Sequence, residues 1–466
     1  MPPTSRRITS GTPSAGPSRE RIIPHRPLPR PRPRVADALA VLAGIGLGLV
    51  IALFIHEETR TTLAAAGGWQ IAIGRFAGFT GTYLMLVMLI LIARIPWLER
   101  TVGQDRLVRW HRKIGPWPLW LISIHVLFIL IGYAKQSKTG ILNQAWTFIR
   151  SYPDILASFI AYGLLMMAGL TSIRIARRRL KYETWWIVHL YLYLALALAF
   201  AHQIKTGVSF ITSPLNLHIW SGVWIATAAM VAIFRVGLPI FRNIRHQLRV
   251  ASIREESPGV YSVICTGRHI ERLAIAGGQF FLWRFLAKDL WWHAHPYSLS
   301  ALPRPPYVRF TVKALGDQSR AIEHLKPGTR VLVEGPYGAF TRHVRRSNKV
   351  VLIGAGVGVT PLRALLEDLP RGIDVDVIVR ASTEASLVHN DEISALVEER
   401  HGRYFPLVGS RTEIQLDPKT LAALVPDIAE RDIYLCGPES FNEGVTESAE
   451  RLGADPERVH HEVFSF

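Results

Sequence analysis

Read by hydropathy, the chain divides near residue 240. Before that point, apolar runs at 35–55, 71–93, 117–134, 155–173, 185–204 and 215–235 alternate with short polar connections. Each run is long enough for a helix rising about 1.5 Å per residue to span a hydrocarbon core of about 30 Å. The fifth contains HLYLYLALALAFAH, His189 to His202, whose leucines alternate as in a strand. A lone strand in lipid would leave its amide groups unpaired, and the runs are too few and too long for a barrel, so all six are read as helices. After about Arg242 the runs shorten. HQLRVASIREESPGVYSVICTG predicts a hairpin turning at Ser257-Pro258-Gly259, and GGQFFLWRF, YVRFTVKAL and TRVLVEG predict further strands of an antiparallel barrel. From Asn348, KVVLIGAG, PLRALLEDL, VDVIVRAS, HNDEISALVEER, RDIYLCG and SFNEGVTESAERL alternate strand with helix, as in a doubly wound parallel sheet. The expected fold is a multidomain membrane protein: a six-helix transmembrane bundle over 35–241, an antiparallel β-barrel domain over 242–347 and an α/β domain with a doubly wound parallel sheet over 348–466.

Composition adds orientation. Hydrophobic residues make up 49% and charged residues 19% of the chain, with a net charge of +18. The basic residues gather in a tail and at the ends of apolar runs and do not form one stripe, which argues against nucleic acid and for membrane lipid as the partner. Residues 1–34 hold nine prolines and eight arginines against one acid, Glu20, a composition expected to be disordered and to lie on anionic headgroups. The loops at 94–117 and 172–184 carry six and five basic residues, whereas those at 56–70, 135–152 and 203–214 carry one, three and one. By the positive-inside rule, both termini of a multi-pass cell-membrane protein are then cytoplasmic. The only cysteines are Cys265 and Cys436, both in the soluble half, so histidine must hold any metal.

Four histidines fit that role. His111 and His125 are 14 residues apart on the third helix, and His189 and His202 are 13 apart on the fifth, separations of about 20 Å along a helix. His111 and His189 share the inner level, and His125 and His202 the outer. Two histidines facing each other can ligate a haem iron from both sides, so two levels make two b-type haems. Fourteen positions return a ring to within about 40°, but thirteen leave it about 140° round, so the fifth helix meets the two levels from different flanks or bends. His56 and His218 are read as ordinary interfacial or hydrogen-bonding residues. Arg75, deep in the second run, either snorkels to the outer headgroups or meets a haem propionate, the second being favoured.

In the soluble half, GAGVGVTP follows a strand and opens a helix, where the amides around Gly354 and Gly356 can approach a pyrophosphate. It departs from G-x-G-x-x-G by ending in Thr360-Pro361. HPYSLSALP, EGPYGAF and YLCGP follow one another at domain scale. HPYSLS, GPYG, GAGVGVTP and CGP, with the C-terminal VFSF, are similar to the ferredoxin-reductase type of FAD and NAD(P)H module. The histidine pairs are similar to those of the ferric reductase transmembrane domain. Everything after residue 34 resembles the NADPH oxidase and ferric reductase superfamily. The resemblance implies that Tyr297 and Ser298 pack on and hydrogen-bond the isoalloxazine, with His295 and Pro296 starting their strand. It implies Gly335, Gly338 and Thr341 by the FAD pyrophosphate, Lys313 as a phosphate contact, and Phe466 as the aromatic that covers the flavin. Gly354, Gly356, Thr360 and Pro361 would hold the NAD(P)H pyrophosphate, with Cys436 and Gly437 near the nicotinamide. Arg380, at the end of VDVIVR, sits where an arginine meets a 2'-phosphate, with Ser410-Arg411 assisting, and no acid ends that strand to hold a free 2'-hydroxyl. NADPH is therefore expected, NADH remaining possible.

Nicotinamide yields two electrons as hydride and haem iron accepts one at a time, so a flavin must stand between them. The expected path runs from NAD(P)H through FAD, the inner haem and the outer haem to an external small-molecule acceptor, with no side chain acting as nucleophile or general acid. Oxygen, ferric or cupric chelates, quinone and a periplasmic partner stay open. Ile129 stands where the eukaryotic oxidases of the family carry a further histidine, which weakens the oxygen reading. Two rivals remain: a membrane-anchored flavin reductase, and a six-helix transporter with a dinucleotide-sensing domain, against which the absence of broken-helix or repeat signatures counts.

Overall fold

The computed structural model describes residues 33–57, 59–180, 182–207, 213–410 and 412–463. The first half is built from helices α1 (Pro33–Glu57), α2 (Gly68–Ile92), α3 (Pro96–Val102), α4 (Gln104–Ile114), α5 (Pro116–Gln136), α6 (Ile141–Ser151), α7 (Pro153–Ser172), α8 (Tyr182–Thr206), α9 (Pro214–Met230) and α10 (Leu238–His246), with shorter turns between them. Among the described residues five stretches are long and apolar enough to cross a membrane: Gly68–Ile92, Arg106–Gln136, Asp154–Ser172, Thr184–Thr206 and Pro214–His246. The run expected as the first of six is also helical, but its described apolar stretch, Asp37–Ala52, is shorter than these. The tail expected to lie on headgroups falls, but for its last two residues, outside the described residues.

Hydropathy misjudged two helix ends. The basic loop expected between the second and third spans is largely helix, because α4 runs through a helical Gly115 (φ −47°, ψ −41°) into α5 and Arg106–Gln136 forms one rod. Arg109, Arg112 and Lys113 break the apolar pattern there, yet such long side chains favour helix and carry their charges outward, while Pro116 opens α5 where no N–H is required. The last span continues through a π-helical turn, Val231–Gly237, past the expected boundary at 241/242 to His246, and ends where Gln247 turns left-handed (φ +44°).

The chain then forms strands β1 (Arg249–Ser257), β2 (Val260–Thr266), β3 (Phe280–Phe285), β4 (His295–Ser298), β5 (Tyr307–Lys313) and β6 (Val331–Tyr337). The expected hairpin is β1–β2, its turn made by Gly259 at φ +72°. The expected closed barrel is not formed. There are two three-stranded antiparallel sheets, β1-β2-β5 and β4-β3-β6, touching at single bridges between Arg249 and Arg330 and between Leu299 and Phe310. β4 is four residues long and contains Pro296, which cannot donate to a ladder, so it stays an edge. Trp283, Phe285, Leu299 and Phe310 fill the space between the sheets, fully buried. Next come β7 (Lys349–Ala355), α11 (Val359–Asp368), β8 (Asp374–Ala381), α12 (Asn390–Glu398), β9 (Arg403–Val408), β10 (Asp432–Gly437), α13 (Glu439–Arg451) and β11 (Val459–Val463). Their parallel sheet, ordered β11-β10-β7-β8-β9, buries β7, β8 and β10 almost throughout, which explains their unbroken apolar runs.

Two joints hold the parts together. β6 lies along α10: Val333 N–H donates to Asn243 Oδ1 (2.8 Å), Asn243 Nδ2 donates to the Val333 carbonyl (3.0 Å), and Arg242 donates to the Gly335 carbonyl. Arg94 sits 4.1 Å above the Tyr337 ring. At the second joint Arg309 of β5 grips Glu392 of α12 with both Nη atoms (2.7 and 2.6 Å), and Arg363 of α11 approaches the same carboxylate at 2.7 Å. Beside it the buried His389 meets Thr311 Oγ1 through Nε2 (3.0 Å).

This second joint is acid-sensitive in two stages. Burial, then the charge of Arg309, pushes His389 down to about 3 from 6.5. Burial opposes ionisation of Glu392, but the Arg309 hydrogen bonds and the charges of Arg363 and Arg309 outweigh it and hold the carboxyl at about 2. Both groups bind fewer protons when folded, so stability falls as pH drops. The His389 part is lost from about pH 6.5 down to 3, and the Glu392 part from about 4.5 down to 2. Equilibrium denaturation against pH should show both limbs, and His389→Gln should remove the upper one alone. An unchanged upper limb in that variant would refute the assignment.

Candidate functional site

The helices that carry the four histidines lean on others, α5 on α2 and α8 on α7. His111, on α4, faces His189 on α8 with ring centroids 6.3 Å apart and planes at 72°. Two imidazoles bound to one metal ion through bonds of about 2 Å each would stand at about this separation. This pair lies at the flavin-domain end of the helices, since α4 begins beside Ala339. His125 on α5 and His202 on α8 lie within electrostatic reach of each other.

Hydrogen bonds fix which nitrogen carries the proton in His125, His189 and His202, whereas His111 Nδ1 is buried without a hydrogen-bond partner. His125 Nδ1 lies 2.8 Å from the Gly74 carbonyl, which can only accept. Thr206 Oγ1 donates to the His202 carbonyl (2.7 Å), so its contact with His202 Nδ1 (2.6 Å) makes the ring the donor. Ser172 Oγ donates to the Ala168 carbonyl (2.6 Å) and accepts from Trp185 Nε1 (3.1 Å), and its remaining lone pair takes His189 Nδ1–H at 3.4 Å. Three rings thus keep Nε2 as a free lone pair, the arrangement in which imidazole ligates a metal. Trp185 stacks on His189 (5.1 Å, 27°).

Gly74, Gly78, Ser172, Thr206 and Trp185 were not singled out from sequence. The H-x-x-x-T spacing of His202 and Thr206 was a visible cue, but Gly74 and Gly78 acquire meaning only once α2 and α5 touch. A Cβ at Gly78 would come within 2.5 Å of His125 Nδ1. Arg75, next to Gly74, is half-buried on α2. His218 is exposed, its Nδ1 on the Pro214 carbonyl (2.5 Å), and the His56 side chain lies outside the described residues.

The flavin motifs meet through β3, whose Phe280 pairs with Ser298 on one side and with Tyr337 on the other. HPYS and GPYG are therefore neighbours across one strand. Tyr297 is stacked on Phe310 (5.4 Å, 2°) and on His295 (5.8 Å, 19°), and its carbonyl accepts from Trp283 Nε1 (3.0 Å). Ser298 Oγ and His295 Nε2 are buried without hydrogen-bond partners. Burial, then the charge of His293, pushes His295 down to about 4, so the ring is neutral. Gly335 and Gly338 take φ of +142° and +100°, left-handed values that favour glycine. Thr341 is buried, and its carbonyl accepts from Tyr434 of the nucleotide sheet (3.0 Å). Pro296 lies on the exposed edge of β4, and Lys313 ends β5 exposed to solvent. Phe466 falls outside the described residues.

In the nucleotide domain, Gly356 turns at φ +56° with nothing within 4 Å of where a Cβ would stand. Thr360 Oγ1 is buried without a partner at the start of α11, and Pro361 is buried beside it. Gly354 and Glu462 flank Cys436 in the sheet, and burial, then the charge of Glu462, pushes the Cys436 thiol well above its ordinary value. Gly437 follows, pressed against Phe441. Arg380 is turned into the protein: Nε donates to the Ile414 carbonyl (3.2 Å) and Nη2 to that of Gly409 (3.4 Å). Its guanidinium ties down the loop that contains Arg411, which is itself outside the described residues.

The GAGVGVTP turn packs directly on the CGP loop. A Cβ at Gly358 would come within 2.2 Å of the Cys436 carbonyl oxygen, a backbone atom with little room to yield. Gly358→Ala should therefore weaken NADP+ binding, measured by titration, by about tenfold or more while FAD content persists. Unchanged affinity would show that the contact does not shape the turn.

A family model described as a ferric reductase like transmembrane component matches residues 77–200. The flavohemoprotein of Vibrio cholerae is 32% identical over 182 residues, covering 36% of this chain and 45% of that protein. The glycine betaine monooxygenase reductase subunit of Chromohalobacter salexigens is 28% identical over 185 residues, covering 36% and 50%. The chain spans about half the length of the curated relatives it matches. Among solved structures, the flavohem-like FAD/NAD binding domain of nitric oxide dioxygenase from Vibrio cholerae overlays 47% of this chain and 99% of its own at 23% identity, with a TM-score of 0.39. The transmembrane match includes His111, His125 and His189. The chain accordingly has a fused ferric reductase-like architecture, a segment that matches a ferric reductase like transmembrane component in one chain with a segment similar to ferredoxin-reductase-type flavin proteins.

Proposed function

We propose that the protein carries electrons across the cell membrane, from cytoplasmic NAD(P)H through FAD and two b-type haems to an external acceptor. The observation that carries this reading is the facing pair His111–His189, 6.3 Å apart, matched by three histidines whose Nδ1–H is already engaged. Among the described residues no group of three or more His, Cys, Asp or Glu could enclose a bare ion. A facing pair of imidazoles would hold a haem iron, which would supply one-electron transfer there. On this reading α1 is the sixth span, the bundle covers 35–241, and the flavin and nucleotide domains cover 242–347 and 348–466. The basic loops at 94–117 and 172–184 support cytoplasmic termini.

When bound, the nicotinamide supplies hydride and the flavin and haems pass its electrons on singly. The chain supplies placement. Ser298 Oγ and His295 Nε2 offer hydrogen bonds to a flavin lying on Tyr297, and Gly335, Gly338 and Thr341 shape the neighbouring turn for its pyrophosphate. Thr360 Oγ1 and the amides at Gly354 and Gly356 address the dinucleotide pyrophosphate at the start of α11, where the helix dipole favours negative charge. Cys436 and Gly437 close the nicotinamide side, with Phe466 covering the flavin. His111 and His189 hold the inner haem, His125 and His202 the outer, and Arg75 is assigned to an outer propionate. NADPH is the preferred donor. Arg380, which anchors the loop through the Gly409 and Ile414 carbonyls, and Arg411 are assigned to that preference. The acceptor class is ferric or cupric chelates, or molecular oxygen.

A reduced-minus-oxidised spectrum of membranes containing the protein, recorded after NADPH addition, should show haem b bands, and a flat spectrum would end this reading. His202→Ala should remove the outer haem and abolish external reduction while NADPH still bleaches the flavin. Gly78→Ala, which drives a methyl against His125, should perturb the same haem, whereas Gly163→Ala, with nothing within 4 Å of its Cβ position, should leave both haems intact. Equal spectra for the two glycine variants would refute the role given to Gly78.

A further inference from the structure

The joint between the flavin and nucleotide domains is more than a static contact. Glu392 of α12 lies at the meeting point of two elements that lead to the two cofactor motifs. Arg309 of β5, which holds both oxygens of Glu392, also donates to the Ser300 carbonyl (3.1 Å), and Ser300 lies two residues after Ser298 in HPYSLS. Arg363, which approaches Glu392 through Nε (2.7 Å), lies on α11, whose first turn is the end of GAGVGVTP. The same helix reaches back to the flavin side. Glu367 accepts from Leu302 N–H (2.9 Å) and Arg304 (3.1 Å), and Asp368 accepts from Gly277 N–H (3.0 Å). Arg363 is 7% exposed and Arg309 17%, against 33% for Glu392, so this joint is partly sheltered from the screening that makes surface ion pairs weak. α11 is thus a rod of about 15 Å. One end of it would receive the dinucleotide pyrophosphate, and the other is bolted to the loop that follows the flavin strand.

We propose that Glu392 is a positioning residue for hydride transfer, joining Arg309 on the flavin side to Arg363 on the nucleotide side and so fixing the approach of nicotinamide to flavin. This rests on the function proposed above. In the step concerned, a hydride leaves the nicotinamide ring carbon with both bonding electrons and forms a bond to the flavin ring nitrogen. The nicotinamide is oxidised and the flavin reduced. Transfer of this kind depends steeply on donor–acceptor distance, and a misplacement of about 1 Å can slow a reaction by about 100-fold. Two domains linked only by a short chain would not hold that tolerance. The bidentate Arg309–Glu392 pair does, because its geometry is planar and directional, and the charge of Arg363, 2.7 Å from the same carboxylate, holds α11 against it.

The test uses the purified full-length protein with FAD bound, mixed anaerobically with NADPH or with NADPH deuterated at the transferred position, following loss of flavin absorbance. Glu392→Gln should keep its FAD, slow the limiting rate of flavin reduction by about 10- to 100-fold and enlarge the isotope effect, with a much smaller change in the NADPH concentration for half-maximal rate. Glu392→Asp should recover most of the rate. A wild-type rate in Glu392→Gln overturns the proposal, as does a slowed rate with an unaltered isotope effect. If Glu392→Gln loses FAD, Arg309→Lys decides: it keeps the charge but loses the fork, and a normal rate there is equally fatal. Failure of the wild-type flavin to be reduced by NADPH would instead overturn the proposed function itself, and this inference with it.

Discussion

The membrane half depends on the hydrogen bonds that His125, His189 and His202 make through Nδ1. A histidine in lipid is costly unless both nitrogens are accounted for. In His125, His189 and His202 the helices answer only half of that demand, with a carbonyl, a serine hydroxyl and a threonine hydroxyl. On the proposed function, Nε2 is the nitrogen that would meet a haem iron. The helix contacts follow from this division. α2 must be free of side chains at Gly74 and Gly78 for α5 to come close enough to bring His125 to a main-chain oxygen. α7 must end at Ser172 to reach His189. Close approach at glycine is the usual means by which membrane helices pack, and here it also serves the orientation of an imidazole.

The soluble half is joined to this frame by strand and helix directly, with no flexible linker between them. α10 runs on from the last span and lies against β6, with Asn243 exchanging hydrogen bonds with Val333 as a further strand would. β6 leads into the GPYG turn, and Tyr337 in that turn lies under Arg94 of the membrane half. The turn assigned to the flavin pyrophosphate is therefore built against the membrane helices, which keeps a flavin and the His111–His189 pair on the same side of the protein.

Much of this was legible in sequence, for identifiable physical reasons. Unbroken apolar runs revealed the five long spans and the buried strands β7, β8 and β10, because burial on all sides tolerates little else. Glycine-rich turns marked GPYG and GAGVGVTP, because φ at Gly335, Gly338 and Gly356 is left-handed. The helical course from Arg106 to Ile114 was hidden, because hydropathy reads charge while helix formation depends on backbone propensity. The open seams between the two flavin sheets were hidden too, since a strand's neighbours are not written in its own alternation. Arg380 shows the limit most plainly. Its position at a strand end suggested a phosphate ligand, but two carbonyls from a loop about thirty residues later turn it inward. Glu392 and Arg309, 83 residues apart, had no signal in sequence at all.

The 13-residue step between His189 and His202 also has a physical consequence. α8 is continuous from Tyr182 to Thr206, so the two rings leave it about 140° apart. A single neighbouring helix cannot then serve both. His189 finds its partner across the interface, on Ser172 of α7, whereas His202 takes Thr206 one turn along its own helix. On the third span the 14-residue step keeps His111 and His125 near one face, and His125 is served by α2 behind it. The odd spacing is therefore accommodated by giving each histidine of α8 a different kind of acceptor, and the helix need not bend.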